Sequence, residues 1–240
     1  MNNKKILFIA ATHGNEKIGM EVITKLQKIG YAKYFDYLIA NPRAYEKNVR
    51  FINADLNRSY PGKRYSKFYE KRLAFYNLAV AKKYPYIVDF HEASAGTENF
   101  IIIPRKKISQ NFPLQYIDLK KILLWPDPKG PISQLLPNSI ELEFGMKNKD
   151  RKEISALAFS VAKKFLEKIM FRKKTTCTLK NKKIYYVFGK LWQKDFCKNV
   201  NSLEDFKETQ IKNKKFIPLL TRQYLKDGIV CYKMRKMSRL

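Results

Sequence analysis

The sequence predicts an α/β fold: a mostly parallel or mixed sheet flanked by helices, with a small β-rich domain at the C-terminal end. Two observations carry this. Up to about Phe171, short apolar runs bounded by turn signals alternate with longer stretches of helical periodicity, the pattern of parallel strands joined by crossover helices. At Phe171-Arg172-Lys173-Lys174 the composition shifts, and beyond it only short strand-like runs and turns remain. The expected division is therefore an α/β domain over residues 1–171 and a β-rich domain over 172–240.

Ile6 to Ala10 is a short apolar run suited to a buried parallel strand. It ends at Thr12-His13-Gly14-Asn15-Glu16, after which Ile18, Val22, Ile23, Leu26 and Ile29 fall at helical spacing and Gly30 stops the helix. Tyr37 to Ala40 reads as the second strand, halted by Asn41-Pro42, and Arg43 to about Arg64 as a polar loop. Helical periodicity returns from Phe68 through Leu73, Tyr76, Val80 and Tyr84. Tyr86 to His91 is the third strand, Phe100 to Ile103 the fourth, and Ser139 to Phe144 the fifth. A long helix follows from about Lys152 to Phe171. In the C-terminal part, Ile184 to Phe188, Phe216 to Leu220 and Ile229 to Tyr232 are strand-like. No internal repeat or low-complexity tract is present.

The 240 residues include 49 Lys and Arg against 21 Asp and Glu, a formal net charge of +28. A polyanionic partner is the first candidate, because basic side chains gain affinity by releasing phosphate counterions. Only eleven of the basic residues are Arg, the type suited to bidentate phosphate and base recognition, and 38 are Lys. Nor is there a clustered aromatic-basic signature such as that of an RRM. A hydrophobic fraction of 45% with 14% aromatics excludes a disordered polycation. A chain of this length buries roughly 70% of its unfolded surface and needs no disulfide staple. Cys177, Cys197 and Cys231 share no paired spacing, which argues against a disulfide framework or zinc knuckle and fits a reducing cytosol. The apolar run after Lys4-Lys5 is shorter than a signal-peptide core, and no stretch approaches the roughly 20 apolar residues of a membrane span. The expected setting is cytoplasmic.

Both histidines of the chain fall at, or just beyond, the carboxyl end of an expected strand. Open α/β sheets place their ligands at that edge. His13 and Glu16 form a His-x-x-Glu unit whose side chains point the same way, and His91 closes the third strand. Two imidazoles and one carboxylate make an open zinc site, with a fourth position for water whose pKa falls to about 7. Each residue alone is more often an ordinary hydrogen-bonding group than a ligand; the surrounding motifs add the weight.

Those motifs are His-Gly-Asn-Glu at 13–16, Asn-Pro-Arg-Ala at 41–44, Asp-Leu-Asn-Arg at 55–58, Asp-x-His at 89–91 and Glu-x-Gly at 143–145. In their order and spacing the chain resembles the succinylglutamate desuccinylase/aspartoacylase family, a branch of the zinc carboxypeptidase superfamily, over its N-terminal two-thirds. The resemblance implies one Zn²⁺ per chain, held by His13, Glu16 and His91. It implies Glu143 as the general base, Arg50 as the group that polarises the scissile carbonyl, and Asn57 and Arg58 as a clamp for a substrate carboxylate. Asp55 and Asp89 would orient the imidazoles, and Tyr224 is the candidate for a tyrosine that reaches the site from the C-terminal domain. Glu141 shares Glu143's strand face but is read as an ordinary hydrogen-bonded or solvated carboxylate. The upstream Tyr and Arg with which aspartoacylase-like members hold an acidic side chain are missing; Lys129 and Ser133 stand in their places.

The function implied is a zinc-dependent amidohydrolase acting on a small anionic N-acyl amino acid, such as an N-succinyl- or N-acetyl-amino acid. The alternatives are a zinc carboxypeptidase acting on a peptide or amino-acid conjugate and, from another class, a basic nucleic-acid-binding protein on the same fold. Arg43 is read as structural, and the lysine-rich stretches 163–164, 172–174, 180–183 and 233–239 as solvated faces. The excess positive charge would then draw anionic substrates toward the cleft, an effect that salt weakens.

Overall fold

A computed structural model of the chain describes residues 6–93, 96–104, 112–126, 130–147, 149–171, 179–196, 202–211 and 213–240. The N-terminal strands are β1 (Ile6–Ala10), β2 (Phe35–Ile39), β3 (Tyr86–Ala93), β4 (Phe100–Ile103), β5 (Lys121–Leu124) and β6 (Ser139–Gly145). Among the described residues four helices accompany them: α1 (Ile18–Lys28), α2 (Pro42–Glu46), α3 (Tyr69–Ala81) and α4 (Arg151–Phe171). Strands β7 (Lys183–Trp192), β8 (Thr209–Ile211), β9 (Lys214–Leu219) and β10 (Ile229–Met237) follow.

The ten strands form one sheet in the order β2-β1-β3-β6-β4-β5-β7-β10-β9-β8. β2, β1, β3 and β6 run parallel, β4 lies antiparallel to β6, and β4, β5 and β7 are again parallel. The sheet is therefore mixed, as expected. The β-rich C-terminal residues do not form a sheet of their own: β7 pairs with β5, so β7 to β10 continue the main sheet as antiparallel ribbons. The expected boundary at 172–174 lies outside the described residues.

Differences from the sequence reading are local. β5 leaves little mark in the sequence, because Ile122-Leu123-Leu124 is too short a run to stand out beside the Pro-rich segment that follows it. The polar stretch after Asn41 contains α2, which Asn41 caps by accepting from Ala44 N (3.4 Å) while Pro42 fills the first turn. β7 and β10 extend well past their apolar runs, since cross-strand pairing also recruits the polar Lys190 and Lys233. Lys182 is not a solvated lysine; it donates to the carbonyls of Ile117 (2.6 Å) and Leu119 (2.8 Å).

Alternation along the strands decides where chemistry can sit. Ile6, Phe8, Val88, Phe90, Ile140, Leu142 and Phe144 pack on one face beneath α1 and α4. Their neighbours Asp89, His91, Glu141 and Glu143 therefore project from the other face, because successive side chains point to opposite sides of a strand. On that face α3 covers only the β1 end, through Leu7, Ile9, Ala74 and Ala81. The C-terminal strands contribute Tyr185, Leu219 and Tyr232 at the far end. A cleft remains between the two clusters, over the carboxyl ends of β3 and β6.

Phe90 shows how the hidden face supports the open one. It is 1% exposed and packs against Phe8 (5.5 Å between ring centroids) and Phe144 (6.4 Å), while the residues on either side of it are Asp89 and His91. Phe90→Ala should lower unfolding free energy by about 3–5 kcal/mol in denaturant titration, the usual cost of a large buried cavity. A loss below about 1 kcal/mol would contradict this packing.

Candidate active site

The cleft encloses about 610 Å³, part of it open to solvent, and is lined by His13, Glu16, Arg50, Asn57, Arg58, His91, Glu143 and Tyr224 among others. It lies where the strand order reverses, with β1 leading to β2 on one side and β3 on the other. Crevices of that kind are the usual ligand sites of open α/β sheets.

Glu16 is its centre. Its carboxylate oxygens lie 2.7 Å from His13 Nδ1 and 3.0 Å from His91 Nδ1, and all three side chains are buried. Ligand atoms from the three residues fall within 4.8 Å of one another. Each imidazole turns its other nitrogen to a further carboxylate. His13 Nε2 is 3.1 Å from Asp55 Oδ1, and His91 Nε2 is 3.2 Å from Asp89 Oδ2, a close ionic approach without good hydrogen-bond direction. Asp89 is itself fixed by the Thr12 hydroxyl, which donates to both its oxygens (3.0 and 3.1 Å).

Burial opposes charge on both rings, yet the Glu16 and Asp55 carboxylates outweigh it at His13 and the Asp89 and Glu16 carboxylates at His91, so both rings are held above the usual imidazole range. Burial likewise opposes the ionised Glu16, but the two imidazoles hold its carboxyl well below the usual range. Asp55 is lowered in the same way against burial, by His13 and Arg50. The cluster thus calls for positive charge at the point where the two Nδ1 atoms and Glu16 meet. The donor set of two nitrogens and a carboxylate suits a divalent metal.

The segment 50–58 brings the arginines in. Arg50 Nη2 pairs with Asp55 Oδ2 at 3.1 Å, and Nη1 lies 3.7 Å from Glu16 Oε1. Asp55 also caps the short turn that follows it by accepting from Asn57 N (2.9 Å), and Arg58 Nη1 donates to Asn57 O (3.1 Å). The Asn57 side chain is buried in the cleft and its Oδ1 has no hydrogen-bond partner.

Glu143 is 8% exposed. Burial first, then the Glu16 and Glu141 carboxylates against the pull of His91, push its carboxyl up to about 8. Tyr224 lies in the cleft wall with its hydroxyl pushed up to about 12 by burial and by Glu143. All ten residues singled out from sequence for the site thus converge on one cleft or on its immediate supports. Glu141 is hydrogen-bonded, as expected, accepting from Ser133, but it is not solvated: it is 5% exposed and lines the same cleft. Lys129 lies outside the described residues.

Two sequence motifs turn out to be structural supports. A Cβ on Gly14 would sit 2.0 Å from the Ala44 carbonyl carbon, so His-Gly-Asn-Glu and Asn-Pro-Arg-Ala are pressed backbone to backbone. Lys17 clamps them by donating to Gly14 O (2.9 Å) and Tyr45 O (3.0 Å). Arg43 stacks on Tyr69 at 4.8 Å, away from the cleft, in keeping with a structural role. Likewise, a Cβ on Gly145 would meet Thr97 O at 2.2 Å, which accounts for the glycine of Glu-x-Gly.

Glu70 is the residue that sequence reasoning missed. It is fully buried on α3 and its carboxylate accepts from Ile52 N (2.6 Å), Asn53 N (3.0 Å) and Ala54 N (3.1 Å), and from Asn41 Nδ2 (3.3 Å). One side chain thereby fixes the loop that carries Arg50, Asp55, Asn57 and Arg58. Its only signal in sequence is a charged residue in a helix turn otherwise facing the core. Glu70→Ala should cost about 2–4 kcal/mol of stability, because three backbone donors lose a charged acceptor. Amide hydrogen exchange at residues 52–54 should accelerate more than elsewhere; unchanged protection there would contradict this role.

Comparison with known proteins agrees with this geometry. Residues 2–123 match the model of the succinylglutamate desuccinylase/aspartoacylase catalytic domain, a stretch that contains His13, Glu16, Arg50, Asn57, Arg58 and His91. Probable aspartoacylases of Prochlorococcus marinus are similar: that of strain MIT 9312 is 34% identical over 85 residues, and that of strain MIT 9215 is 30% identical over 122. These matches take in 34% and 45% of this chain and only 28% and 40% of those relatives. The fold is that of the succinylglutamate desuccinylase of Chromobacterium violaceum (TM-score 0.74, 18% identity, 99% of this chain and 85% of that one). It is also that of murine aminoacylase 3 (TM-score 0.72, 17% identity, 98% and 95% of the two chains). By sequence and by fold, the chain belongs to the succinylglutamate desuccinylase/aspartoacylase family.

Proposed function

We propose that this protein is a zinc-dependent deacylase that hydrolyses the amide bond of a small N-acyl amino acid. The observation carrying this reading is that His13, Glu16 and His91 converge in a cleft whose walls also hold Glu143, Arg50, Asn57 and Arg58. Zinc held by the first three supplies Lewis acidity, which acidifies water and polarises a carbonyl. Asp55 and Asp89 orient the two imidazoles and raise their basicity as ligands.

The chain's own residues do the rest. Glu143 takes the proton of the attacking water and returns it to the leaving amine. Burial raises its carboxyl above the ordinary carboxylate range, toward the pH at which one group can both take and return a proton. Arg50, pinned by Asp55, turns its guanidinium toward the negative charge that develops on the carbonyl oxygen. Arg58 and the Asn57 amide receive a substrate carboxylate, a task for which the planar guanidinium fork is suited. Tyr224 covers the cleft from the β-rich part, so residues 1–171 and 172–240 act as two units serving one site. The unpaired cysteine spacing supports a cytoplasmic setting, and Cys231 is buried and free. Among the described residues no helix is long and apolar enough to cross a membrane.

Metal analysis and hydrolysis assays on N-acetyl- and N-succinyl-amino acids test this, with C-terminal peptides as the comparison. One zinc per chain is expected, with activity lost on chelation and restored by zinc. His91→Ala should lose the metal. Glu143→Gln should keep it and lose about 10²- to 10⁴-fold in kcat. Full activity without zinc, or a preference for peptides, would overturn the proposal.

A further inference from the structure

The cleft has a second end that the reaction does not use. Beyond Glu143, one step deeper along β6, lies Glu141, which is 5% exposed and faces the cleft beside Gln134, Trp125 and Ile102. Only the neutral Ser133 hydroxyl donates to it, and His91 Nε2 stands 3.9 Å away. Among the described residues no Lys or Arg nitrogen comes within 4.0 Å of Glu141, although a buried carboxylate ordinarily has a cationic partner. Gln134 supplies an independent sign. Its Nε2 donates to Trp125 O at 3.0 Å, which fixes the amide, and its Oε1 is buried with no hydrogen-bond partner. Among the described residues, this end of the cleft therefore presents a buried carboxylate and an amide oxygen that still lacks a donor.

The neighbouring residues point the same way. Where an acidic side chain would need a guanidinium, this chain has Ser133, turned to Glu141.

Resting on the deacylase reading, we propose that Glu141 and Gln134 form a specificity subsite for a protonated amine. The preferred substrates are then α-N-acylated diamino acids with a free ω-ammonium group, of the N-acyl-ornithine or N-acyl-lysine type. The α-carboxylate goes to Arg58 and Asn57, and the ammonium donates to Glu141 and to Gln134 Oε1.

Two measurements on the zinc-loaded protein separate this inference from the reading beneath it. In the first, kcat/KM is compared for Nα-acetyl-ornithine, its neutral analogue Nα-acetyl-norvaline, and N-acetyl-aspartate. A preference of about tenfold or more for the ornithine compound is expected, the size of a charge-assisted hydrogen bond. Glu141→Gln should erase most of that preference while changing the norvaline compound less than threefold. Gln134→Leu, which leaves every charge in place, should reduce it about three- to tenfold. In the second, calorimetric titration with free ornithine and norvaline reads the subsite without turnover. Wild type should bind ornithine more tightly, and Glu141→Gln should bind the two alike. If no N-acyl amino acid is hydrolysed yet ornithine is still discriminated, the deacylase reading falls and the subsite stands. Equal binding of the two amino acids, a preference for N-acetyl-aspartate, or an equal loss on all substrates with loss of zinc in Glu141→Gln would overturn the subsite. The last result would make Glu141 a support of His91.

Discussion

The arrangement depends on one constraint: a buried carboxylate, Glu16, held between the Nδ1 atoms of two imidazoles, one just beyond β1 and one on β3. Burial alone would neutralise all three groups. Their mutual attraction, reinforced by Asp55 and Asp89, raises both rings above the usual imidazole range and lowers the carboxylate. The cluster sits just beyond β1 and on β3, at the point where the strand order reverses, and its donor set is the one the proposed metal would use.

The rest of the molecule can be understood as holding this cluster still. α1 and α4 bury Phe8, Phe90 and Phe144 on the hidden face and so fix the pitch of the strands that carry His91 and Glu143. Glu92 ties the two layers together by accepting from Ile18 N at 2.7 Å and pairing with Arg151. Gly14 and Gly145 let backbones approach more closely than any side chain allows. Glu70 secures the loop that delivers both arginines. These devices lie outside the reacting centre, but they set how accurately its groups face one another, and small misplacements there cost large factors in rate.

Much of this was legible in the sequence because periodicity and residue type both pointed to it. Strands β1, β3, β4 and β6 are short apolar runs, and period-two alternation placed Glu141 and Glu143 on one face. Two lone histidines at strand ends, with motifs in family order, marked the site. What escaped notice depended on contacts distant in sequence. β5 is specified by its place between β4 and β7 rather than by its own pattern. Glu70 meets its partners 16 to 29 residues away. The burial of Glu141 follows from Ser133 and the segment around Gln134, which nothing in the strand itself announces. The pairing of β7 with β5, which joins the C-terminal ribbons to the main sheet, likewise links residues far apart in sequence. The +28 charge proved the least informative feature: the cations that matter are Arg50 and Arg58, and both lie in the cleft.

Zinc K-edge X-ray absorption on the zinc-loaded protein tests the proposed metal centre at Glu16 most directly. Two imidazole nitrogens and carboxylate or water oxygens are expected at about 2.0–2.2 Å, with no sulfur bound to the metal. Zinc–sulfur scattering near about 2.3 Å, or a spectrum that His91→Ala leaves unchanged, would place the metal elsewhere and contradict it.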